Sequence, residues 1–322
     1  MAPRQGPAPA VYPRELRPGT HDGPLAPLRG ASPSIVGDRP IAGRARALAG
    51  YILPSVVGEA PREASEWATP GGVLAFAHRG GAYHPEIEGL ENTLAAFKHA
   101  VALGYDYLET DVHVTSDGVL LAFHDTVLDR VTDQQGAISE LTFEEVRHAL
   151  VGGREQVPTL AQLFDEFPEA RFNIDLKSDG AAKALAEFVA ERDAWDRVLV
   201  GSFSRDRLRD FRRRTRGRVL TSASMLDVLL FRFLPSGRLA DRITGRRVAA
   251  LQVPHRRGRL TVATRGLVRR AHAAGRPVHV WTVDDPDEMR ELLDRGVDGI
   301  FTDRTDVLKD VLIERGNWRD SP

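Results

Sequence analysis

The chain has 322 residues, 44 lysines and arginines against 45 aspartates and glutamates, a formal charge of -1, and no cysteine. This balance gives no general reason to expect nucleic acid or an anionic surface as partner, and the missing cysteines exclude disulfides, thiolate nucleophiles and thiolate-bound zinc. A chain of this length holds one large α/β domain or two smaller ones, and any metal must sit on carboxylates or imidazoles.

Residues 1–70 are rich in proline, glycine, alanine and arginine and carry no sustained period, which predicts a disordered or loosely docked extension. Within it, 41–57 is apolar but interrupted by Arg44, Arg46, Gly50 and Pro54, so a short docking segment is expected rather than an anchor. No run reaches the ~18 apolar residues of a membrane span, and no secretory core stands near the start, so the expected location is cytoplasmic.

From Gly71 the pattern changes. Strand-like runs at 74–78, 107–113, 172–177, 198–203, 218–222, 249–254, 277–283 and 299–303 alternate with mostly amphipathic stretches, which argues for parallel βα units. After the first run, Asn92 opens a helical pattern with Leu94, Phe97 and Val101 on one face, ending at Gly104. A ninth strand candidate, 119–124, follows the second after only residues 115–118, a connection that permits nothing but an antiparallel hairpin. The arginines of 205–218 are interleaved with Asp206 and Asp210 and predict a solvated helix face. Residues 225–235 read either as a barrel helix or as an apolar rim. Asp284, Asp285 and Pro286 open another helix, which stops at Gly296. Eight such units predict a (β/α)8 TIM barrel over 71–316, with a small insertion at about 125–158 after the hairpin of the second strand. The alternative, an open doubly wound sheet, lacks its Gly-rich dinucleotide loop.

Charged and imidazole side chains gather at the ends of these strands. Glu109 and Asp111 are two apart on one strand and share a face, and Asp175 ends the next parallel strand. Three carboxylates at matching places suit one hard divalent cation, Mg2+ or Ca2+. His78 and His124 each follow an apolar run and are candidates for acid/base work near neutrality. Arg79 and Lys177 are placed to neutralise a phosphate, with Glu91 a natural partner for Arg79. His113 shares the face of Glu109 and Asp111 and either touches the site or fills space beyond it. His84, His99, His148, His255, His272 and His279 have no companion at ligand spacing. Trp281, at a strand end, either walls a small substrate or packs in the core.

Taken together, these stretches resemble the glycerophosphodiester phosphodiesterase family. The matching pieces, in chain order, include His78-Arg-Gly, Glu91-Asn-Thr-Leu-Ala-Ala-Phe, Leu108-Glu-Thr-Asp-Val, Phe123-His-Asp, Leu128-Asp-Arg-Val-Thr, Asn173-Ile-Asp-Leu-Lys, Val280-Trp-Thr-Val and Gly299-Ile-Phe-Thr-Asp. The resemblance implies a metal-dependent barrel that hydrolyses glycerophosphodiesters to glycerol 3-phosphate and an alcohol. In it, His78 and His124 form the acid/base pair, Glu109, Asp111 and Asp175 hold the metal, and Arg79 and Lys177 contact phosphate. Glu91 corresponds to the family glutamate at the metal or the arginine. It also implies that the glycerol hydroxyl attacks phosphorus and that water opens the cyclic phosphate.

Three positions depart from the family pattern: Asp175 for the usual glutamate, Leu90 for a proline, and Asp284 for an asparagine. None removes an acid, a base or a charge. Two competing functions stay in view. A lysophospholipase D-like enzyme on membrane lysophospholipids would use the apolar segments 41–57 and 225–235 for access. A non-catalytic phosphodiester-binding barrel would keep the phosphate contacts without turnover. The expected partner is a small glycerophosphodiester, with no nucleic acid and with membrane contact less expected; the sequence leaves the oligomeric state open.

Overall fold

In the computed structural model, Trp67 and residues 72–318 are described; 41–57 and most of the expected extension lie outside the described residues. The elements run β1 (Leu74–His78), α1 (Leu94–Ala102), β2 (Tyr107–Val114), β3 (Leu120–Ala122), α2 (Phe143–Val146), β4 (Leu150–Val151), β5 (Glu155–Gln156), α3 (Leu160–Glu166), β6 (Arg171–Leu176) and α4 (Ala181–Glu191). They continue with β7 (Val198–Gly201), α5 (Arg205–Arg214), β8 (Leu220–Thr221), α6 (Met225–Phe233), α7 (Gly237–Ile243), β9 (Leu251–Pro254), β10 (Arg256–Arg257) and β11 (Leu260–Thr261). The last are α8 (Arg265–His272), β12 (Val278–Trp281), α9 (Pro286–Asp294), β13 (Gly299–Thr302) and α10 (Thr305–Glu314).

Helix starts follow local chemistry. Thr93, Ser204, Ser224 and Thr264 each cap a helix by accepting a backbone N–H. Asp285 does so twice ahead of Pro286, whose missing N–H costs nothing at that position.

Eight strands are parallel, in the order β8-β7-β6-β2-β1-β13-β12-β9. A single parallel bridge, Ser222 to Ala250, joins the two outer strands and closes the ring, supported by Ala223 N–H to Ala250 O at 2.9 Å and Ala249 N–H to Thr221 O at 2.8 Å. The architecture is the (β/α)8 barrel that the alternation predicts. β3 pairs antiparallel with β2, as the four-residue connection requires.

The interior and exterior of the ring are packed differently. Outside it, strand side chains such as Leu108, Phe172, Val200 and Val280 meet helix residues such as Phe97, Leu163, Leu185 and Leu292. Inside, Trp67, Leu74, Phe76, Tyr107, Leu199, Ala250 and Phe301 form an apolar plug. Phe76 and Phe301 stack at 4.2 Å, and Trp67 tilts onto Tyr107 at 5.5 Å. Above the plug the inward positions turn polar. Gln252 donates to Asn173 Oδ1 at 2.7 Å, and the carboxylates of β2 and β6 follow. Residues 125–158 carry α2 and the β4–β5 hairpin around Leu128, Ile138, Val146, Val151 and Val157, packed on Leu121 and Phe123. The α5 arginines are largely engaged locally: Arg213 and Arg214 with Asp210, Arg207 with Asp179, and Arg212 with Thr221.

Candidate active site

Register places the site. His78 ends β1 opposite Glu109 of β2, while Asp111 of β2 stands opposite Asp175 of β6. Their side chains therefore converge at the C-terminal mouth of the ring. Lys177, just past β6, lies between two of them, with Nζ 3.0 Å from Asp111 Oδ1 and 2.8 Å from Asp175 Oδ2. Arg79 Nε is 3.1 Å from Asp111 Oδ2, and Asn92 Nδ2 donates to the same oxygen at 3.2 Å. Asp111 is buried; desolvation works against its charge, but Lys177 and Arg79 outweigh it and keep the carboxyl ionised. Glu109 goes the other way. Burial and the neighbouring Asp111 push its carboxyl up, although Arg79 N–H donates to Oε2 at 3.1 Å.

Each histidine is backed by a carboxylate. His78 Nδ1 bonds Asp303 Oδ1 at 2.9 Å, leaving Nε2 facing Glu109 Oε2 at 3.9 Å. Burial alone would lower its pKa, but Glu109 and Asp303 lift it to about 9. His124 Nδ1 bonds Asp125 Oδ1 at 2.6 Å, which leaves Nε2 as its second ring nitrogen. Asp125 also accepts from Arg130 Nε at 2.5 Å, and Arg130 grips Glu91 with both terminal nitrogens at 2.9 and 2.6 Å. Glu91 completes the chain through Arg79 Nη1 at 3.1 Å. Glu91 is thus paired with both Arg79 and Arg130.

The backbone that carries Arg79 is unusual. Arg79 and Asn92 adopt left-handed conformations, φ 50° and 58°, and are joined by Asn92 N–H to Arg79 O at 2.8 Å. Gly80 and Gly81 also have positive φ, and a Cβ there would meet Ala96 Cβ at 2.7 Å and Thr305 Cγ2 at 2.6 Å. These glycines let α1 and α10 close on the loop behind Arg79.

Of the residues predicted from the sequence, His78, Arg79, Glu91, Glu109, Asp111, His124, Asp175 and Lys177 form one connected group. Trp281 is half-buried at the rim, in line with Pro254 of β9, and Phe203 meets it edge-on at 5.6 Å. Trp281 also packs against the interior plug. His113 bonds His124 O through Nε2 at 3.0 Å and supports the site from behind. His84 and His99 do have a companion, namely each other, at 4.0 Å between rings. Asp303, Asp125, Arg130 and Asn92 were not singled out from the sequence, although each lies in or beside a matching motif.

Buried oxygens on this face fit a hard divalent cation. Asp175 Oδ1 is buried without a hydrogen-bond partner, and Glu109 is crowded by Asp111. All three groups are carboxylates, the donor type such ions take. Among the described residues, no three His, Asp or Glu side chains stand at metal-cage spacing; Lys177 bridges Asp111 and Asp175.

Fold and site together define a (β/α)8 barrel with histidines, carboxylates and basic side chains gathered at its mouth. The sequence model of the glycerophosphoryl diester phosphodiesterase family matches residues 78–307. A Mycobacterium tuberculosis protein named "Probable glycerophosphodiester phosphodiesterase 2" is 42% identical over 79% of this chain and 96% of its own length. The human lysophospholipase D GDPD1 is 27% identical over 74% of this chain and 85% of its own. Among solved structures, a glycerophosphodiester phosphodiesterase from Agrobacterium tumefaciens superposes with a TM-score of 0.59 at 25% identity, covering 73% of this chain and 98% of that one. An Oleispira antarctica phosphodiesterase shares the fold with a TM-score of 0.63 at 21% identity, covering 78% and 100%. The chain belongs to the glycerophosphoryl diester phosphodiesterase family, whose members work with a divalent metal. It is an enzyme that hydrolyses glycerophosphodiesters.

Proposed function

We propose that this chain releases sn-glycerol 3-phosphate from its diesters through the Nε2 atoms of His78 and His124, with Arg79 and Lys177 on the phosphate. The observation that carries this reading is the pair of histidines, each tied at Nδ1 to its own carboxylate, which leaves Nε2 for the reaction. That arrangement fixes the orientation of each imidazole and leaves Nε2 to exchange the proton. Support also comes from the Oleispira barrel, which was solved with sn-glycerol-3-phosphate as its product.

In the first step one Nε2 takes the proton of a glycerol hydroxyl as its oxygen bonds to phosphorus. The other gives a proton to the departing alcohol oxygen, leaving a cyclic phosphate. Water then adds to phosphorus with the proton flow reversed, and the ring opens to the monoester. Glu109, Asp111 and Asp175 would hold one divalent ion, Mg2+ or Ca2+. When bound, that ion supplies positive charge opposite the nonbridging oxygens. Arg79 and Lys177 add charge from fixed positions, where preorganisation is worth most. Trp281 and Phe203 give one wall of the mouth an apolar face toward the alcohol. We take 71–316 as one catalytic unit, with 125–158 carrying the His124–Asp125–Arg130 arm.

The test is turnover of glycerophosphocholine, crossed with chelator, Mg2+, Ca2+ and His124→Ala. The expected result is loss of turnover in chelator, recovery with one ion, and a drop of roughly 10²–10⁴-fold in the variant. Full turnover by His124→Ala, or tight binding of the diester without hydrolysis, would overturn these roles.

A further inference from the structure

We propose that α6 and the β10–β11 hairpin form a docking surface for a bilayer containing anionic lipid, placed at the rim of the barrel mouth and down the adjoining flank.

The first observation is apolar. α6 reads Met-Leu-Asp-Val-Leu-Leu-Phe-Arg-Phe, with only Asp227 and Arg232 polar. Phe231 is buried, yet Met225, Leu226 and Leu229 are exposed and Phe233 is 72% exposed. Met225, Leu229 and Phe233 recur every fourth residue and line one strip. α7 adds Leu239 and Ile243, also exposed. A helix of an ordinary outer ring turns its polar side to water, and a contiguous apolar strip marks a contact surface.

The second observation is charge. Residues 224–276 contain twelve arginines, no lysine, no glutamate and two aspartates, in a chain whose formal charge is -1. Both aspartates are engaged at home: Asp227 accepts from the Ser224 N–H and hydroxyl, and Asp241 pairs with Arg276. In the hairpin, Arg256, Arg257, Arg259 and Leu260 are all exposed. Arg257 Nη1 reaches the Met225 sulfur at 3.8 Å, so hairpin and helix present one continuous face. Aliphatic side chains interleaved with guanidinium groups suit the phosphate layer of an anionic membrane. A single-stranded nucleic acid would call for stacking aromatics, and Phe233 is the one exposed phenylalanine, tyrosine or tryptophan within 224–276.

Position gives the surface its use. α6 follows the C-terminal end of β8 and the hairpin follows that of β9, whose Pro254 registers with Trp281 of the site. A bilayer gripped here would have its phosphates beside the mouth. Docking does not depend on which diester is cleaved.

The test uses the full chain with sedimenting vesicles of phosphatidylcholine, with and without phosphatidylglycerol, at low and high salt. Binding is expected only to the phosphatidylglycerol vesicles and weakens with salt. Arg257→Ala with Arg259→Ala lowers the partition coefficient by about fivefold per arginine. Leu229→Ser with Phe233→Ser lowers it by at least about tenfold. Turnover of dissolved glycerophosphocholine without vesicles stays unchanged in both variants and reports separately on the catalytic roles. Equal binding to both vesicle types, or binding undiminished in both variants, would overturn the proposal. So would a dimer that dissociates in Leu229→Ser/Phe233→Ser, which would give the face to a second copy.

Discussion

Asp303 shows how much one side chain can decide at the mouth. Its carboxylate holds His78 Nδ1 at 2.9 Å, which under the proposed function makes it a positioning residue. Asp303→Asn should lower kcat by roughly 10-fold or more with little change in KM, since an amide fixes the imidazole in a less useful tautomer. An unchanged kcat in steady-state assays would remove Asp303 from this role. Asp284 provides the contrast. Its Oδ1 accepts from the Thr302 hydroxyl at 2.9 Å and the Asp303 N–H at 2.8 Å, and burial pushes its carboxyl up. An amide oxygen accepts the same two bonds, so Asp284→Asn should keep both activity and unfolding midpoint, which explains why either residue serves there. Leu90, another of the three departures, is buried with Ile87 and Ala96 and does apolar work.

At the scale of elements, the loop between β1 and α1 depends on what packs behind it. Gly81→Ala would place a methyl against Thr305 at a positive φ, so a loss above ~1 kcal/mol is expected in urea unfolding. If the variant matched the parent, the tight closure of α10 on this loop would be wrong. The strands, the hairpin and the residues ending β1, β2 and β6 were legible because alternation and apolar runs are local signals. What was not legible depends on distant register. Asp303 meets His78 across 225 residues because β13 happens to flank β1. Arg130 lies in the insertion, where no period announces it, yet it joins Asp125 to Glu91. The close approach of α1 and α10 to Gly80 and Gly81 is likewise visible only in the fold.

Across the whole molecule, averages conceal distribution. A net charge of -1 gives no general reason to expect an anionic surface as partner, while twelve arginines fall within residues 224–276. Burial acts globally in a second way through His279, which sits inside the ring against Phe76 with neither nitrogen bonded. Desolvation lowers its pKa from 6.5 to about 3, so it is neutral in the fold and protonates first in the unfolded chain. Its penalty is therefore absent above the unfolded value and grows as pH falls from about 6.5 toward 3. Between pH 7 and pH 5 this costs about 2 kcal/mol. His279→Leu should flatten that acid slope in denaturant titrations at the two pH values; an unchanged slope would mean another group governs it.

The ring itself is uneven. Seven of its junctions are ladders of paired residues, whereas β8 and β9 meet at the one bridge between Ser222 and Ala250. Amide hydrogen exchange should open Ser222, Ala223 and Ala249 well before the amides of β1, β2 and β6. The barrel then behaves as a wrapped sheet fastened by a clasp, with α6 and α7 as the strap across it. Whatever holds that strap from outside sets how readily the clasp lets go.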